Sequence, residues 1–309
     1  MAPLHFEMSP WEMADLSERV KRARDFLFDT VQNLRDPALR RMVWEMLSDA
    51  KEKPARVVEP GAGRPNDPVL DKLRRPLPYD PTVAAPGAAM KSHHCYPGGW
   101  AVHTAINLKA ALSLADQAED VKKVAVDRDA IVAGMVLHDW AKLKILVWQD
   151  DHTLDDDQGI GHHCIVIAEC MLRGFPPVVV HLLAGVHGGW WIKPESVRGQ
   201  LRRAAQWIER DEVSSRYVID QDLLTVESWI MRQAELSWYD VTSSAFQGVR
   251  RVVEEWHRER GMGVSLPRLR NAVLTTFDEL QLWPAANARG FKSLRERLDR
   301  WIEEVSGTL

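Results

Sequence analysis

The feature that most constrains this sequence is residues 131–142, IVAGMVLHDWAK, where an apolar run ends in an imidazole, a carboxylate and an ammonium group. On a helix, Met135, His138 and Lys142 lie on one face, because residues three and four positions apart are neighbours. Burying an unpaired charge is very costly, so a core segment carries such groups only where each has a partner. The natural partner of His138 with Asp139 is a metal ion, and that of Lys142 is an anion.

The distribution of histidines supports a metal site. The chain has 11 histidines, and all of them except His5 and His257 lie between His93 and His187. Histidines with only structural roles would be scattered along the chain. A cluster of them indicates a shared role, and histidine is the commonest metal ligand. This clustering predicts that one part of the chain binds metal.

Composition indicates a globular protein without a strong global charge. The chain has 309 residues, 45% of them hydrophobic, and a formal net charge of -4. This balance provides no basic field for an anionic membrane or for nucleic acid, so nucleic acid is the less favoured partner. No apolar run reaches the roughly 20 residues of a membrane span, and the N-terminus lacks a signal-peptide pattern. Three cysteines, an odd number in a long chain, predict reduced thiols and a cytoplasmic location.

Apolar residues recur at helical spacing along most of the chain, and no convincing alternating run indicates a substantial sheet. We therefore predict an all-α fold, with 129–148 as one continuous helix. Three segments are expected: N-terminal helices with a Pro/Gly-rich wrapping segment at 1–90, a metal-binding core at 91–220, and a helical extension at 221–309. The extension is expected to act as a lid or as a dimer contact, so a homodimer is one predicted arrangement.

Further candidate ligands come from other predicted helices. His103 shares a helix face with inward-facing apolar residues. His162 and His163 open a helix, and His162 is the preferred ligand of the two. His187 closes a helix, and the two glycines that follow it end the helix and allow a ligand to approach closely.

Asp211 is a candidate carboxylate ligand from a predicted helix over 195–212. The residues of the apolar stripe on this helix are Val197, Leu201, Ala204 and Ile208. The next position on the stripe is Asp211. An acidic residue that continues an apolar stripe is either buried at high cost or a ligand.

Together these side chains are sufficient to bind two divalent ions. The predicted ligands are His103, His138, Asp139, His162, His187 and Asp211, with Asp139 as the bridging residue. Two ions about 3.5–4 Å apart hold the attacking and leaving oxygens of a displacement at phosphorus and lower the pKa of bound water. Mixed nitrogen and oxygen ligation favours Mn, Fe, Ni, Co or Zn over Mg or Ca.

Several of these residues also have simpler interpretations. A single histidine such as His103 can be a core residue that is hydrogen-bonded to the backbone. Cys95 and Cys164 each follow a histidine pair, but the chain has no C-x-x-C spacing to favour a zinc site. His93, His94 and His163 are expected to contact the substrate or the ligands rather than a metal.

The motifs resemble those of the HD-domain superfamily of metal-dependent phosphohydrolases, and most closely the HD core of bacterial 3′–5′ exoribonuclease-like proteins. The similar segments, within roughly residues 25–220, are AAMKSHHCYPGGWAVHT, LHDWAK, IGHH and LLAGVHGG. The resemblance implies an HD-domain helical bundle with additional N- and C-terminal helices, and it places the family's ligands on the six predicted positions. It also implies that Lys142 contacts a substrate phosphate. The exoribonucleases carry an OB-type RNA-binding domain, whereas the roughly 90 residues before this core are predicted to be helical.

The resemblance implies a phosphohydrolase that uses metal-activated water on a small nucleotide-like phosphate ester. Asp139 and Lys142 are the predicted catalytic residues, with Lys142 and the ions stabilising the charge that develops at phosphorus. Two alternatives remain open. Some HD-type proteins hold two irons and activate dioxygen, and others are relaxase-associated or regulatory binding modules.

Overall fold

The structure is a computed structural model that describes residues 7–58, 68–90, 92–155, 161–187, 194–220, 224–288 and 291–306. Over these residues the fold is all-α, as predicted, apart from one small pair of antiparallel strands.

The N-terminal helices begin at well-formed caps. Ser9 forms a reciprocal capping box with Glu12, and Asp36 and Asp80 each accept hydrogen bonds from backbone amides of the helix that follows. A short 3-10 helix at Arg56–Val58 lies between the third and fourth helices. The helices are α1 (Pro10–Leu16), α2 (Glu18–Gln32), α3 (Pro37–Asp49), α4 (Pro68–Arg74) and α5 (Pro81–Ala84).

The central part of the chain contributes most of the elements around the histidines. In order they are α6 (Gly99–Asp120), α7 (Arg128–Leu137), α8 (Lys142–Ile145), β1 (Val147–Trp148), β2 (Leu154–Asp155), α9 (His162–Arg173), α10 (Pro177–Val186), α11 (Pro194–Ile208) and α12 (Asp211–Ser214). The C-terminal helices are α13 (Val226–Ser237), α14 (Tyr239–Arg260), α15 (Leu266–Thr276), α16 (Glu279–Ala288) and α17 (Phe291–Ser306).

The long helix α6 lies at the centre of the packing. It packs against α2, α7 and α13, and α10 packs against α7, α9, α11 and α13. Buried residues from all three predicted segments, such as Val43, Leu108 and Ile230, belong to one hydrophobic cluster. The division into three segments, the homodimer and the cytoplasmic location stay predictions.

The single helix predicted over 129–148 is wrong. Helix α7 ends at Leu137, and α8 begins only at Lys142. Between them the backbone forms tight turns, in which the Trp140 amide donates to Leu137 O at 2.8 Å and the Lys142 amide donates to Asp139 O at 3.0 Å. The helix therefore breaks where its polar residues begin, and β1 follows α8.

Residues 59–67 of the Pro/Gly-rich segment lie outside the described residues. Its described part forms the 3-10 helix, α4 and α5. In the described chain, no helix combines the length and the apolar character needed to cross a bilayer.

Candidate metal centre

Asp139 is fully buried, and its Oδ2 atom is surrounded by cationic or potentially cationic groups. His103 Nε2 lies 3.2 Å from this oxygen, and His138 Nε2 lies 3.4 Å from it. The Lys142 ammonium donates a hydrogen bond to it at 2.6 Å. These side chains come from α6, from the end of α7 and from the start of α8, so the break after α7 brings them together.

The second carboxylate oxygen, Asp139 Oδ1, faces a different pair of imidazoles. His162 Nε2 is 3.3 Å away and His187 Nε2 is 3.7 Å away. The predicted preference for His162 over His163 agrees with this placement, and the His163 ring lies against that of His187 with 3.5 Å between centroids. The two oxygens of one buried carboxylate therefore face two separate sets of imidazole nitrogens.

Glu235 on α13 supplies a second carboxylate that the sequence analysis missed. Its Oε2 atom lies 3.2 Å from His138 Nε2 and 3.6 Å from His103 Nε2. The side-chain amide of Asn107 donates hydrogen bonds to the same oxygen and to His103 Nε2, the latter at 3.2 Å. The site thus contains four imidazoles and two carboxylates, as predicted in number, but with a different second carboxylate.

The predicted position of Asp211 is wrong. Helix α11 ends at Ile208, and Glu209 adopts a left-handed conformation with φ of 48°. Asp211 instead begins the short helix α12, where its side chain is exposed. The left-handed conformation of Glu209 follows the end of α11, so the apolar stripe of α11 does not extend to Asp211.

Glu235 continues a buried stripe of α13 in the way that was predicted for Asp211 on α11. Ser228, Met231 and Ala234 are buried on α13, and Glu235 is four residues beyond Met231 and seven beyond Ser228. Glu235 therefore continues a buried stripe within one unbroken helix.

Two backbone contacts orient histidines of the site. His138 Nδ1 lies 2.6 Å from Met135 O and donates a hydrogen bond to it, which turns Nε2 toward the carboxylates. Arg232, on the same helix as Glu235, donates a hydrogen bond to Val186 O at 2.8 Å, directly before His187. Helix α13 therefore positions both sides of the site.

A loop before α6 positions Lys142. Gly87 O accepts a hydrogen bond from the Lys142 ammonium at 2.8 Å, and the Gly87 amide donates to His94 O at 2.9 Å. A Cβ atom on Gly99 would lie 1.9 Å from His94 O, so the close approach requires glycine. The buried Glu279 carboxylate accepts a hydrogen bond from the His94 amide at 2.9 Å, so the C-terminal helices also fix this loop.

His93 and His94 line the side of the site next to His103. Their rings lie 5.5 and 5.2 Å from the His103 ring, between centroids. His93 Nδ1 is 3.1 Å from the Ser243 hydroxyl. Burial lowers the pKa of His93 to about 3, and His103 and Lys142 add to this decrease, so the imidazole is neutral near pH 7.

The carboxylates of the site are ionised in spite of their burial. Burial opposes ionisation of Asp139, but Lys142 and His138 hold the pKa of its carboxyl well below the usual range. Burial likewise opposes ionisation of Glu235, but His103 and His138 lower its pKa to about 2. Burial would lower the pKa of His138, but Asp139 and Glu235 outweigh it and raise the pKa to about 10.

The imidazoles around Asp139 Oδ1 have the opposite tendency. Burial lowers the pKa of His162, lowers that of His187 well below its usual value, and lowers that of His163 to about 2. Neutral imidazole is the form that binds a metal ion.

The donor set fits divalent transition ions. His138 Nε2, Asp139 Oδ1 and His187 Nε2 are buried and have no hydrogen-bond partner among the described residues. Such atoms are costly to bury unless something pairs with them. Donor atoms of His103, His138 and Asp139 lie within 4.8 Å of one another, and so do those of the three residues His162, His163 and His187.

Comparison with known proteins gives one relative. The chain is 31% identical over 164 residues to the dihydroneopterin 2′,3′-cyclic phosphate phosphodiesterase of Methanocaldococcus jannaschii, and the alignment covers 52% of this chain. It spans 58% of the relative's own length. No protein-family model and no solved structure matches the chain.

Proposed function

We propose that this protein is a metal-dependent phosphodiesterase of the HD superfamily that hydrolyses a small nucleotide-like phosphate ester. The observation that carries the proposal is Asp139, whose two buried oxygens each face a separate pair of imidazoles. The relative's activity on a 2′,3′-cyclic phosphate supports the reaction class, and it makes a five-membered cyclic phosphodiester the first substrate to test.

The side chains divide into two sets around Asp139. One ion would be held by His103, His138, Glu235 and Asp139 Oδ2, and the other by His162, His187 and Asp139 Oδ1. Mixed nitrogen and oxygen donors favour Mn, Fe, Ni, Co or Zn. When bound, such ions activate a water molecule and neutralise charge on phosphate oxygens.

Lys142 provides the fixed positive charge of the site. Its ammonium lies 2.6 Å from Asp139 Oδ2, and its side chain is 12% exposed, so it borders both the carboxylate and the space that a substrate would enter. An ammonium held here stabilises the negative charge that develops on phosphate oxygens, and the Gly87 carbonyl keeps it in place.

His93 and His94 would bind the ester from the His103 side. The ring of His93 is neutral and is held by Ser243, so it can hydrogen-bond to a substrate oxygen without adding charge. In the overall reaction the oxygen of water bonds to phosphorus, the ring P–O bond breaks, and the leaving oxygen takes a proton. The product is a phosphomonoester.

The test uses the full-length protein with its metal content measured. It is loaded in turn with Mn²⁺, Fe²⁺, Co²⁺, Ni²⁺ or Zn²⁺ and assayed on 2′,3′-cyclic AMP, 3′,5′-cyclic AMP and p-nitrophenyl phosphate. We expect metal-dependent opening of the 2′,3′-cyclic ester, and its loss in Asp139→Ala and His138→Ala. Oxygen uptake is recorded in parallel, because consumption of dioxygen without phosphate-ester hydrolysis would replace this function with di-iron oxygenase chemistry. Hydrolysis that survives both substitutions would refute the assignment of the site.

A further inference from the structure

Two large aromatic side chains are exposed next to the metal centre, where α13 ends and α14 begins. Trp238 is 45% exposed and Tyr239 is 47% exposed. They are three and four residues beyond Glu235 in sequence, at the junction where α13 ends at Ser237 and α14 begins at Tyr239. Leaving two adjacent aromatic rings in water forfeits the gain of burying them, which is a reason to look for an occupant.

A chain of aromatic rings connects Tyr239 to the metal centre. The Tyr239 ring lies 5.1 Å from the His93 ring at an interplanar angle of 87°. The His93 ring lies 5.5 Å from that of His103, whose Nε2 is 3.2 Å from Asp139 Oδ2. The exposed aromatic surface is therefore continuous with the wall of the candidate catalytic site.

We propose that Trp238 and Tyr239 form a stacking surface for the aromatic heterocycle of the substrate, while its phosphate lies at Asp139 and Lys142. This inference rests on the proposed function and specifies its substrate class as phosphate esters that carry a purine-like ring. An edge-to-face contact with His93 covers at most one face of Tyr239, which leaves aromatic surface for stacking. Stacking of a base on an aromatic side chain contributes about 1–3 kcal/mol and accepts different heterocycles.

A protein partner is the main alternative occupant. Other exposed apolar side chains, including Leu224, Trp229 and Val241, extend along the same part of the chain. Within this group, Tyr239 is the residue with a described ring contact to the histidines of the site. That contact favours a substrate at Trp238 and Tyr239 over a partner surface that would cover the whole group.

The test compares two cyclic phosphate esters that differ in the aromatic ring. Metal-loaded full-length protein is assayed on 2′,3′-cyclic AMP and on glycerol 1,2-cyclic phosphate, which has no ring to stack. The variants are Tyr239→Leu, Trp238→Leu and Tyr239→Phe, which keeps the aromatic face. Trp229→Leu is the matched control, because Trp229 is exposed on α13 and lies six residues before Glu235.

We expect Tyr239→Leu and Trp238→Leu to lower kcat/KM for 2′,3′-cyclic AMP about 5- to 150-fold, the range that corresponds to 1–3 kcal/mol. The loss should lie in KM, and kcat/KM for the glycerol ester should remain within about twofold of the wild type. Tyr239→Phe and Trp229→Leu should retain activity on both esters.

Equal losses on both esters, or no loss on either, would overturn the stacking surface while leaving the phosphodiesterase intact. A change of oligomeric state in the Leu variants without a change in selectivity would assign the surface to a protein interface. If the wild type hydrolyses neither ester, the proposed function fails, and calorimetry with 3′-AMP and glycerol phosphate then tests the surface alone. Tyr239→Leu should weaken the binding of 3′-AMP and leave that of glycerol phosphate unchanged. If the variant binds each ligand as tightly as the wild type does, the stacking surface is refuted.

Discussion

At the scale of single residues, the burial of Asp139 sets what the neighbouring side chains must do. A buried charge is tolerated only where the surrounding groups compensate for the loss of water. In this protein an ammonium and two imidazoles surround Oδ2, and two further imidazoles face Oδ1. Lys142 and protonated His138 provide one positive charge for each of the carboxylates of Asp139 and Glu235, so His162 and His187 are not needed to balance charge. Their nitrogens beside Oδ1 are donors that suit a cation.

Glu235 is predicted to be as necessary for metal binding as the histidines. Glu235→Gln keeps the size of the side chain but removes the charge beside His103 and His138. We expect the variant to bind metal about 100-fold more weakly or worse, since even the loss of a group that only orients a ligand costs 10- to 100-fold. Metal content after dialysis and titration with Mn²⁺ or Zn²⁺ measure the effect.

Asp211→Asn is the matched control, because it makes the same change of charge at an exposed residue. It should bind metal and catalyse hydrolysis as the wild type does. If Asp211→Asn loses metal and Glu235→Gln keeps it, the placement of Glu235 in the site is contradicted.

Glu235 and Asp211 also show how much of the site the sequence can predict. His103, His138, Asp139, His162 and His187 were all predicted, because each is a polar residue on a stripe or at the end of an apolar helix. Asp211 follows the same rule but does not reach the site, because α11 ends at Ile208 and Glu209 adopts a left-handed conformation. A left-handed glutamate has no local sequence signal, so the pattern could not show this break.

At the scale of elements, the loop from Gly87 to Gly99 is the structure that holds Lys142. The Gly87 amide pairs with His94 O, and the Gly87 carbonyl accepts from Lys142. Glu279 accepts from the His94 amide. These hydrogen bonds fix the position of the Lys142 ammonium, which the proposed function assigns to the substrate phosphate.

Gly99→Ala is predicted to disturb this loop and to reduce activity. The added Cβ would lie 1.9 Å from His94 O, a backbone atom that cannot move without its neighbours. Overpacking of this kind costs about 1–3 kcal/mol, so the variant should unfold at lower temperature. It should also lose turnover, because Gly87 O would no longer hold Lys142. Thermal unfolding and kcat on 2′,3′-cyclic AMP are the measurements.

Gly161→Ala makes the same change directly before His162, where an added Cβ meets no described atom within 4 Å. It should leave unfolding temperature and kcat close to those of the wild type. Full activity in Gly99→Ala would show that the loop geometry is not needed for catalysis.

Most helices could be predicted because apolar spacing is a local property. The sequence predicts that His162 opens a helix and that His187 closes one, and α9 begins at His162 while α10 ends at Val186. The break between α7 and α8 was missed because the residues after Leu137 are bonded to distant groups. Trp140 donates its indole N–H to Met46 O at 2.8 Å, a contact that no local pattern contains.

At the scale of the whole molecule, the candidate metal centre connects distant parts of the chain. Its side chains come from α6, α9 and α13 and from the segments that follow α7 and α10, and they extend in sequence from His103 to Glu235. Helix α13 belongs to the predicted extension over 221–309. It packs against α6, α7 and α10 and places a carboxylate in the site, while the role of the extension as a lid or a dimer contact stays a prediction. Ions held by these residues would therefore join elements across more than 130 positions of sequence.

Divalent ions are predicted to raise the unfolding temperature of the metal-free protein, and by more as the pH rises from 6.5 to 9. The carboxylates of Asp139 and Glu235 outweigh burial and raise the pKa of His138 from 6.5 to about 10. The proton on His138 therefore stabilises the metal-free fold fully below pH 6.5, and this stabilisation is lost as the pH rises toward 10. An ion must displace this proton, so its affinity increases across that range.

At 100 times its Kd, an ion stabilises the fold by about 2.7 kcal/mol, which shifts Tm by several degrees. Scanning calorimetry with Mn²⁺, and with EDTA as the metal-free reference, measures the shift. Asp139→Ala should show none, and a shift that shrinks with rising pH would contradict the displacement of the proton.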